Sequence, residues 1–260
     1  MQINSLTKDE LLYIASVCET AGRFEDMHEV MKIYVLEGHE VSEKERQQFS
    51  AAYRQVLGPK RRAWRTLSAI ELKPRDREGR SLGTADLKET LARCIRGVAQ
   101  EALDLVSNRI YSTCISADSR VYFLKFRADL ERYMAEISVG NEHASWVHES
   151  HRSYKKAADI ATCHLKATDA IRLNLMLSFS VFYYEVYNSA ERACILAKSA
   201  YDDALEEGLF WPRRQGVKES AEHKDAADIV YLLRDHVVRW TGRLSPTRTV
   251  PSPPLSMANL

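Results

Sequence analysis

The chain has 260 residues, 45% of them hydrophobic, which is enough apolar material to bury a core and excludes a disordered polymer. Lys plus Arg number 37 against 36 Asp plus Glu, so nothing in the bulk charge speaks for nucleic-acid binding, and a surface of one sign has to arise by segregation. The five cysteines (Cys18, Cys94, Cys114, Cys163, Cys194) are odd in number and far apart, which argues against a disulfide framework and for a reducing, cytoplasmic setting.

From the N-terminus, Met1 to Glu10 lacks the apolar core of a signal peptide, and no later apolar run reaches the roughly 18 residues of a membrane span, so no membrane role is expected. Leu11, Leu12, Ala15, Val17, Cys18 and Ala21 recur at helical spacing, and Gly22 and Gly38 mark the ends of two first helices. Ser42 and Glu45 form a capping-box signature for a long third helix, in which Pro59 removes an N–H and predicts a bend. Breaks follow at Gly79 to Gly83, at Gly140, at Asn188-Ser189, where Ser189 is placed to cap the next helix, and at Gly208 to Gly216. Four of the seven prolines fall in the last fifteen residues, so residues 244–260, rich in Ser, Thr and Pro, are expected to be a disordered tail. The result is an all-α class of about nine antiparallel helices with short connections.

Charge is segregated on two of these helices. Arg54 and Arg61 are seven residues apart, nearly two turns, and so are Lys125 and Arg132, with the phenol of Tyr133 beside the latter. Two such pairs brought together would hold a phosphate dianion, whose acceptor oxygens are best met by forked guanidinium donors. On spacing alone the default reading is two ordinary solvated helix faces. Apolar stripes, Leu177 with Val181 and Ile229 with Leu232, His236 and Trp240, read as core packing or as a binding wall. His148-Glu149-Ser150-His151 has neither the spacing nor the carboxylate of a metal site, no phosphate-binding glycine loop or nucleophile elbow occurs, and no metal, cofactor or enzymatic activity is expected.

Four segments carry a resemblance. Tyr53 to Arg65 is similar to a Tyr-Lys-Asn-Val-Val-Gly-x-Arg-Arg-x-x-Trp-Arg run, and Lys224 to Trp240 to a Lys-Asp-x-x-Leu-Ile-x-x-Leu-Leu-Arg-Asp-Asn-Leu-x-x-Trp run. Ser178 to Glu185 is similar to Asn-Phe-Ser-Val-Phe-Tyr-Tyr-Glu, and Arg23 to Met27 to Arg-Tyr-x-Asp-Met. These are marks of the 14-3-3 family, and the likeness runs from about residue 8 to Thr241. The resemblance implies one domain over residues 1–243, built of nine helices that pair into a cup-shaped dimer, homodimeric or heterodimeric with a paralogue. It implies a non-enzymatic adaptor whose groove binds phosphoserine or phosphothreonine segments of client proteins through Arg54, Arg61, Arg132 and Tyr133. Lys125 would stand on the same wall, Glu185 would orient the basic cluster, and Leu177, Ser178, Val181, Asp228, Ile229, Leu232, His236 and Trp240 would line the rest of the groove. Val17, Cys18, Ala21, Arg23, Ala63, Leu67, Ile70 and Leu87 would form the dimer interface.

The departures carry information of their own. Both asparagines that grip the ligand backbone in the family are replaced, by Ser178 and His236, and Arg54 takes the place of a Lys. Asp228 stands where the family has an apolar groove residue, and should favour basic over acidic ligand positions. Cys94 and Thr90 occupy the places of the acid and the lysine that pair across the family's interface, so burial of apolar surface should carry the dimer. The alternative reading is a helical scaffold of the same shape that binds partners independently of phosphorylation.

Overall fold

Residues 6–71, 81–209 and 221–244 are described by a computed structural model. Among the described residues the regular structure is helical throughout, with nine α-helices: α1 (Lys8–Thr20), α2 (Phe24–Leu36), α3 (Glu43–Glu71), α4 (Ser81–Leu105), α5 (Ala117–Ile137), α6 (Gly140–His164), α7 (Ala170–Glu185), α8 (Ala190–Glu206) and α9 (Ala221–Leu244). A π turn over Val106–Ile110 and a 3₁₀ turn over Tyr111–Thr113 follow α4. The expected tail beyond Leu244, the glycine stretch before Ser81 and the loop with Trp211 lie outside the described residues.

Local chemistry sets the ends of these helices. Thr7 and Glu10 form a reciprocal capping box on α1, and the Asp169 carboxylate accepts from the N–H groups of Ile171 and Arg172 at the start of α7. At α3 the Glu45 carboxylate accepts from both the N–H and the hydroxyl of Ser42, so that hydroxyl spends its proton on Glu45. Ser189 occupies the N-cap of α8 without a side-chain cap bond, against the sequence expectation, because its backbone (φ −115°, ψ 83°) departs from the usual extended cap geometry. Gly22 and Gly38 take positive φ just past α1 and α2, as chain reversal after a helix requires. Pro59 sits inside α3, which runs unbroken for 29 residues around it.

Two compact units divide the chain, Met1–Ser153 and Tyr154–Leu260, with the division inside α6. The first is organised around Leu11, Ala15, Met27, Met31, Phe49, Tyr53, Ile95, Phe123, Phe126 and Leu130. The second is organised around Leu173, Met176, Val230, Leu233 and Trp240, with the alanines 193, 197, 200 and 204 of α8 forming a small-residue face that lets α9 approach closely. All five cysteines are unpaired. No described helix is long and apolar enough to cross a membrane.

Within the first unit α3 and α5 are locked side by side. Arg46 is buried, bonded through Nη1 to Asp118 Oδ2 (2.8 Å) and Ser119 Oγ (2.9 Å) and stacked 5.0 Å above the Tyr122 ring. Ser50 bonds Tyr122, the Phe49 ring meets Phe123 and Phe126, and Arg61 bonds Glu136. The hydrogen bonds join residues 72 to 75 apart, rising together along both helices, so α3 and α5 run in the same direction. That parallel register places the arginine face of α3 beside the charged face of α5.

Candidate functional site

Two of the basic residues singled out from spacing, Arg61 and Arg132, meet around one phenol. The guanidinium carbon of Arg61 lies 3.4 Å from the centre of the Tyr133 ring and that of Arg132 lies 5.2 Å from it. Burial foremost, then the Asp129 carboxylate, pushes the Tyr133 phenol up, while the charges of Arg132, Arg61 and Arg54 pull it down. Tyr133 therefore keeps its proton at neutral pH and can donate it, and the field at its oxygen registers all three arginines at once.

Two carboxylates hold these cations in place. Glu136 accepts from Arg61 Nε at 2.7 Å and also from Arg65, and Asp129 accepts from Lys125 at 2.8 Å with Arg132 at 3.7 Å. Because Arg61 is anchored through Nε, its two terminal nitrogens make no hydrogen bond among the described residues and are available to a ligand. Arg54 spends one terminal nitrogen on Ser50 Oγ (3.2 Å). The cations outnumber the carboxylates, so the cluster presents net positive charge with forked donors already oriented, the arrangement that a phosphate dianion needs. Sequence reasoning passed over Arg65, Asp129 and Glu136. The signal was present, since Asp129 is four residues after Lys125 and Glu136 four after Arg132, both i, i+4 pairs on α5.

In the second unit, α7 and α9 carry the remaining predicted residues. Leu177, Val181 and Ile229 are half-buried against the unit's core, Ser178 is half-buried, and Glu185, Asp228 and Leu232 are exposed. Trp240, assigned from the resemblance to the groove lining, is buried in the core, where it stacks on Tyr184 at 4.8 Å and 14° and supports the His236 ring at 4.8 Å. His236 Nδ1 is buried with no hydrogen-bond partner. Burial foremost, then the nearby Arg239, pulls the His236 imidazole down against the opposite influence of Asp235 and Glu185, so the ring is neutral at pH 7.

The residues assigned to a dimer interface divide by exposure. Val17, Ala21, Arg23, Ala63, Ile70 and Leu87 are exposed and Leu67 is half-buried, whereas Cys18, one turn from Ala15, packs into its own unit's core at 9% exposure. Arg23 pairs with Asp26 of its own α2. Tyr13, which the sequence reading passed over, is exposed on α1 four residues before Val17.

A family model described as 14-3-3 protein matches residues 14–241. The chain belongs to the 14-3-3 family. Among its relatives, 14-3-3-like protein 2 of Caenorhabditis elegans is 37% identical over 234 residues, covering 90% of this chain and 92% of that protein. The rat 14-3-3 protein beta/alpha is 35% identical over 237 residues, covering 91% and 94%, and the 14-3-3 protein zeta of Xenopus laevis is 35% identical over 236 residues with the same coverage. Members of the 14-3-3 family are non-enzymatic adaptors.

Proposed function

We propose that the chain is a cytoplasmic adaptor that binds phosphoserine or phosphothreonine segments of client proteins, with Arg54, Arg61, Arg132 and Tyr133 as the phosphate donors. The observation that carries this is the gathering of Arg61 and Arg132 about the Tyr133 ring, with Arg61 3.4 Å from its centre and its terminal nitrogens without a hydrogen bond among the described residues. Each charge-assisted bond to phosphate contributes about 1.5–3 kcal/mol, so three donors reach micromolar affinity after the cost of ordering a peptide. Lys125 supports Asp129, which in turn holds Arg132. Leu177, Ser178, Val181, Glu185, Asp228, Ile229, Leu232 and His236 of α7 and α9 are further client-binding residues in this reading. Family membership favours this over a phosphate-independent scaffold.

Residues 1–243 act as one functional domain in this reading, and the chain works as a dimer with itself or with a paralogue. Tyr13, Val17, Ile70 and Leu87 are exposed apolar side chains on α1, α3 and α4 of one unit, which supports an interface there. Fluorescence anisotropy with one peptide in phosphorylated and plain forms tests the function. At least tenfold tighter binding of the phosphorylated form is expected, and equal affinities refute it. Sedimentation velocity reads the dimer, and a monomer at micromolar concentration refutes that part.

A further inference from the structure

Along α3, Arg46, Ser50 and Arg54 stand at successive four-residue steps, and Asp118 and Tyr122 stand at the same step on α5. The two rows are bonded rung by rung, Arg46 to Asp118 at 2.8 Å and Ser50 to Tyr122 at 2.5 Å. Arg54, the last of the α3 row, is exposed and makes no hydrogen bond or ion pair to α5 among the described residues. Its Nη2 donates back one turn to Ser50 Oγ at 3.2 Å.

The buried Ser50 hydroxyl therefore has three neighbours in reach: the Tyr122 oxygen, Arg54 Nη2 and, at 3.2 Å, the Gln47 carbonyl. It owns one proton and two lone pairs. A guanidinium only donates and a carbonyl only accepts, so Arg54 occupies one lone pair and Gln47 takes the proton. Tyr122 then donates into the second lone pair, and Ser50 is its only hydrogen-bond partner among the described residues. The reverse direction would leave the phenol proton without an acceptor. Tyr122 is itself fixed, because the buried Arg46 guanidinium lies 5.0 Å from its ring centre and the Phe123 ring meets it edge-on at 5.6 Å. Donor, relay and arginine thus form one chain, each bond polarising the next.

An exposed arginine gives up rotamer freedom when it binds an anion, and an anchor in the free protein removes part of that cost beforehand. Nε and Nη1 of Arg54 make no hydrogen bond among the described residues, so the anchored fork keeps donors for a phosphate oxygen. Its charge also reaches the neighbouring cluster: burial foremost raises the Tyr133 phenol, and Arg54 is among the three arginines that draw it back.

We propose that Tyr122 is a positioning residue for the phosphate site, holding the Arg54 guanidinium ready for the anion through the hydroxyl of Ser50. The proposal rests on the phosphopeptide reading given above. Ordering one long side chain in advance is worth about a two- to tenfold gain in affinity.

The test uses the full chain and a fluorescein-labelled peptide carrying one phosphoserine, beside its unphosphorylated form. Anisotropy is measured for the wild type, Tyr122→Phe, Ser50→Ala and Arg54→Ala, and for Tyr122→Phe and Ser50→Ala each combined with Arg54→Ala, with folding checked by circular dichroism. Tyr122→Phe keeps the ring and its stacking with Arg46 but removes the donor, and should weaken phosphopeptide binding by about two- to tenfold. Ser50→Ala should weaken it by a similar factor, and it carries the test alone if Tyr122→Phe does not fold. Once Arg54 is alanine, neither second change should alter the affinity further. A merely structural role would give the same loss with and without Arg54, and that result overturns the proposal. So does wild-type affinity in both single variants while the phosphorylated form is still preferred. A wild type that does not distinguish the two peptide forms overturns the phosphate reading and this proposal with it.

Discussion

Replacing Arg61 by alanine separates its two roles, one in the free protein and one toward the ligand. In the free protein Arg61 is 13% exposed, bonds Glu136 through Nε at 2.7 Å and covers the face of Tyr133. Loss of a charge-assisted bond costs about 1.5–3 kcal/mol and loss of a cation–π contact about 0.5–1 kcal/mol. Arg65 still pairs with Glu136, so the lower end applies, about 2 kcal/mol, which lowers Tm by about 4–8 °C in a chain of this size. Toward phosphate the loss is larger in effect, because two forked donors disappear and Glu136 is left facing the dianion with one fewer cation. An affinity decrease of at least about 10-fold follows, since even one such charge-assisted bond contributes about 1.5 kcal/mol or more. Arg61→Lys keeps the charge but loses the fork and the flat contact with the ring, and should fall between the two. Anisotropy with phosphorylated and plain peptide, beside far-ultraviolet circular dichroism, reads both roles. A folded Arg61→Ala protein that binds the phosphopeptide within threefold of the wild type refutes the site.

Glu131, one residue before Arg132, is buried, and that burial pushes its carboxyl up against the pull of Ser153 and Arg127, with Glu149 adding to the rise. From the ordinary 4.5 up to the raised value the folded protein holds this proton more tightly than the unfolded chain does, so stability falls as pH rises through that window and stays lowered above it. Thermal melts of Glu131→Gln should therefore gain on the wild type from pH 4.5 toward neutrality, and parallel profiles for the two proteins would show that the carboxyl is not so perturbed. Asp169→Ala strips α7 of its cap and should cost about 1 kcal/mol, a fall of about 2–4 °C in Tm. An unchanged melting temperature there would mean that solvent replaces the cap at no cost.

Helix periodicity, the chain reversals at Gly22, Gly38, Gly140, Asn188 and Gly208, and the seven-residue spacing of the two basic pairs are properties of short windows of sequence, and the structure keeps them. The ends of α4 and α6 carried no comparable glycine and went unmarked: α4 unwinds through a π turn and a 3₁₀ turn before Cys114, and α6 gives way to α7 through the Asp169 cap. Ser189 shows the converse, a residue of the right type whose backbone geometry withholds the cap bond.

Sequence by itself determined that this protein is helical, that it belongs with the 14-3-3 proteins, and that arginines 54, 61 and 132 with Tyr133 are its phosphate-holding candidates, because each of those signals is local or is carried by contiguous motifs. Tertiary structure decided the rest. The parallel register of α3 and α5, pinned by Arg46 on Asp118 some 72 residues away, brings Arg61 onto the face of Tyr133 and enlists Glu136. Core packing, not helical position, turned Cys18 and Trp240 inward. Spacing along a helix fixes which side chains share a face; only the packing of one helix on another fixes what that face meets.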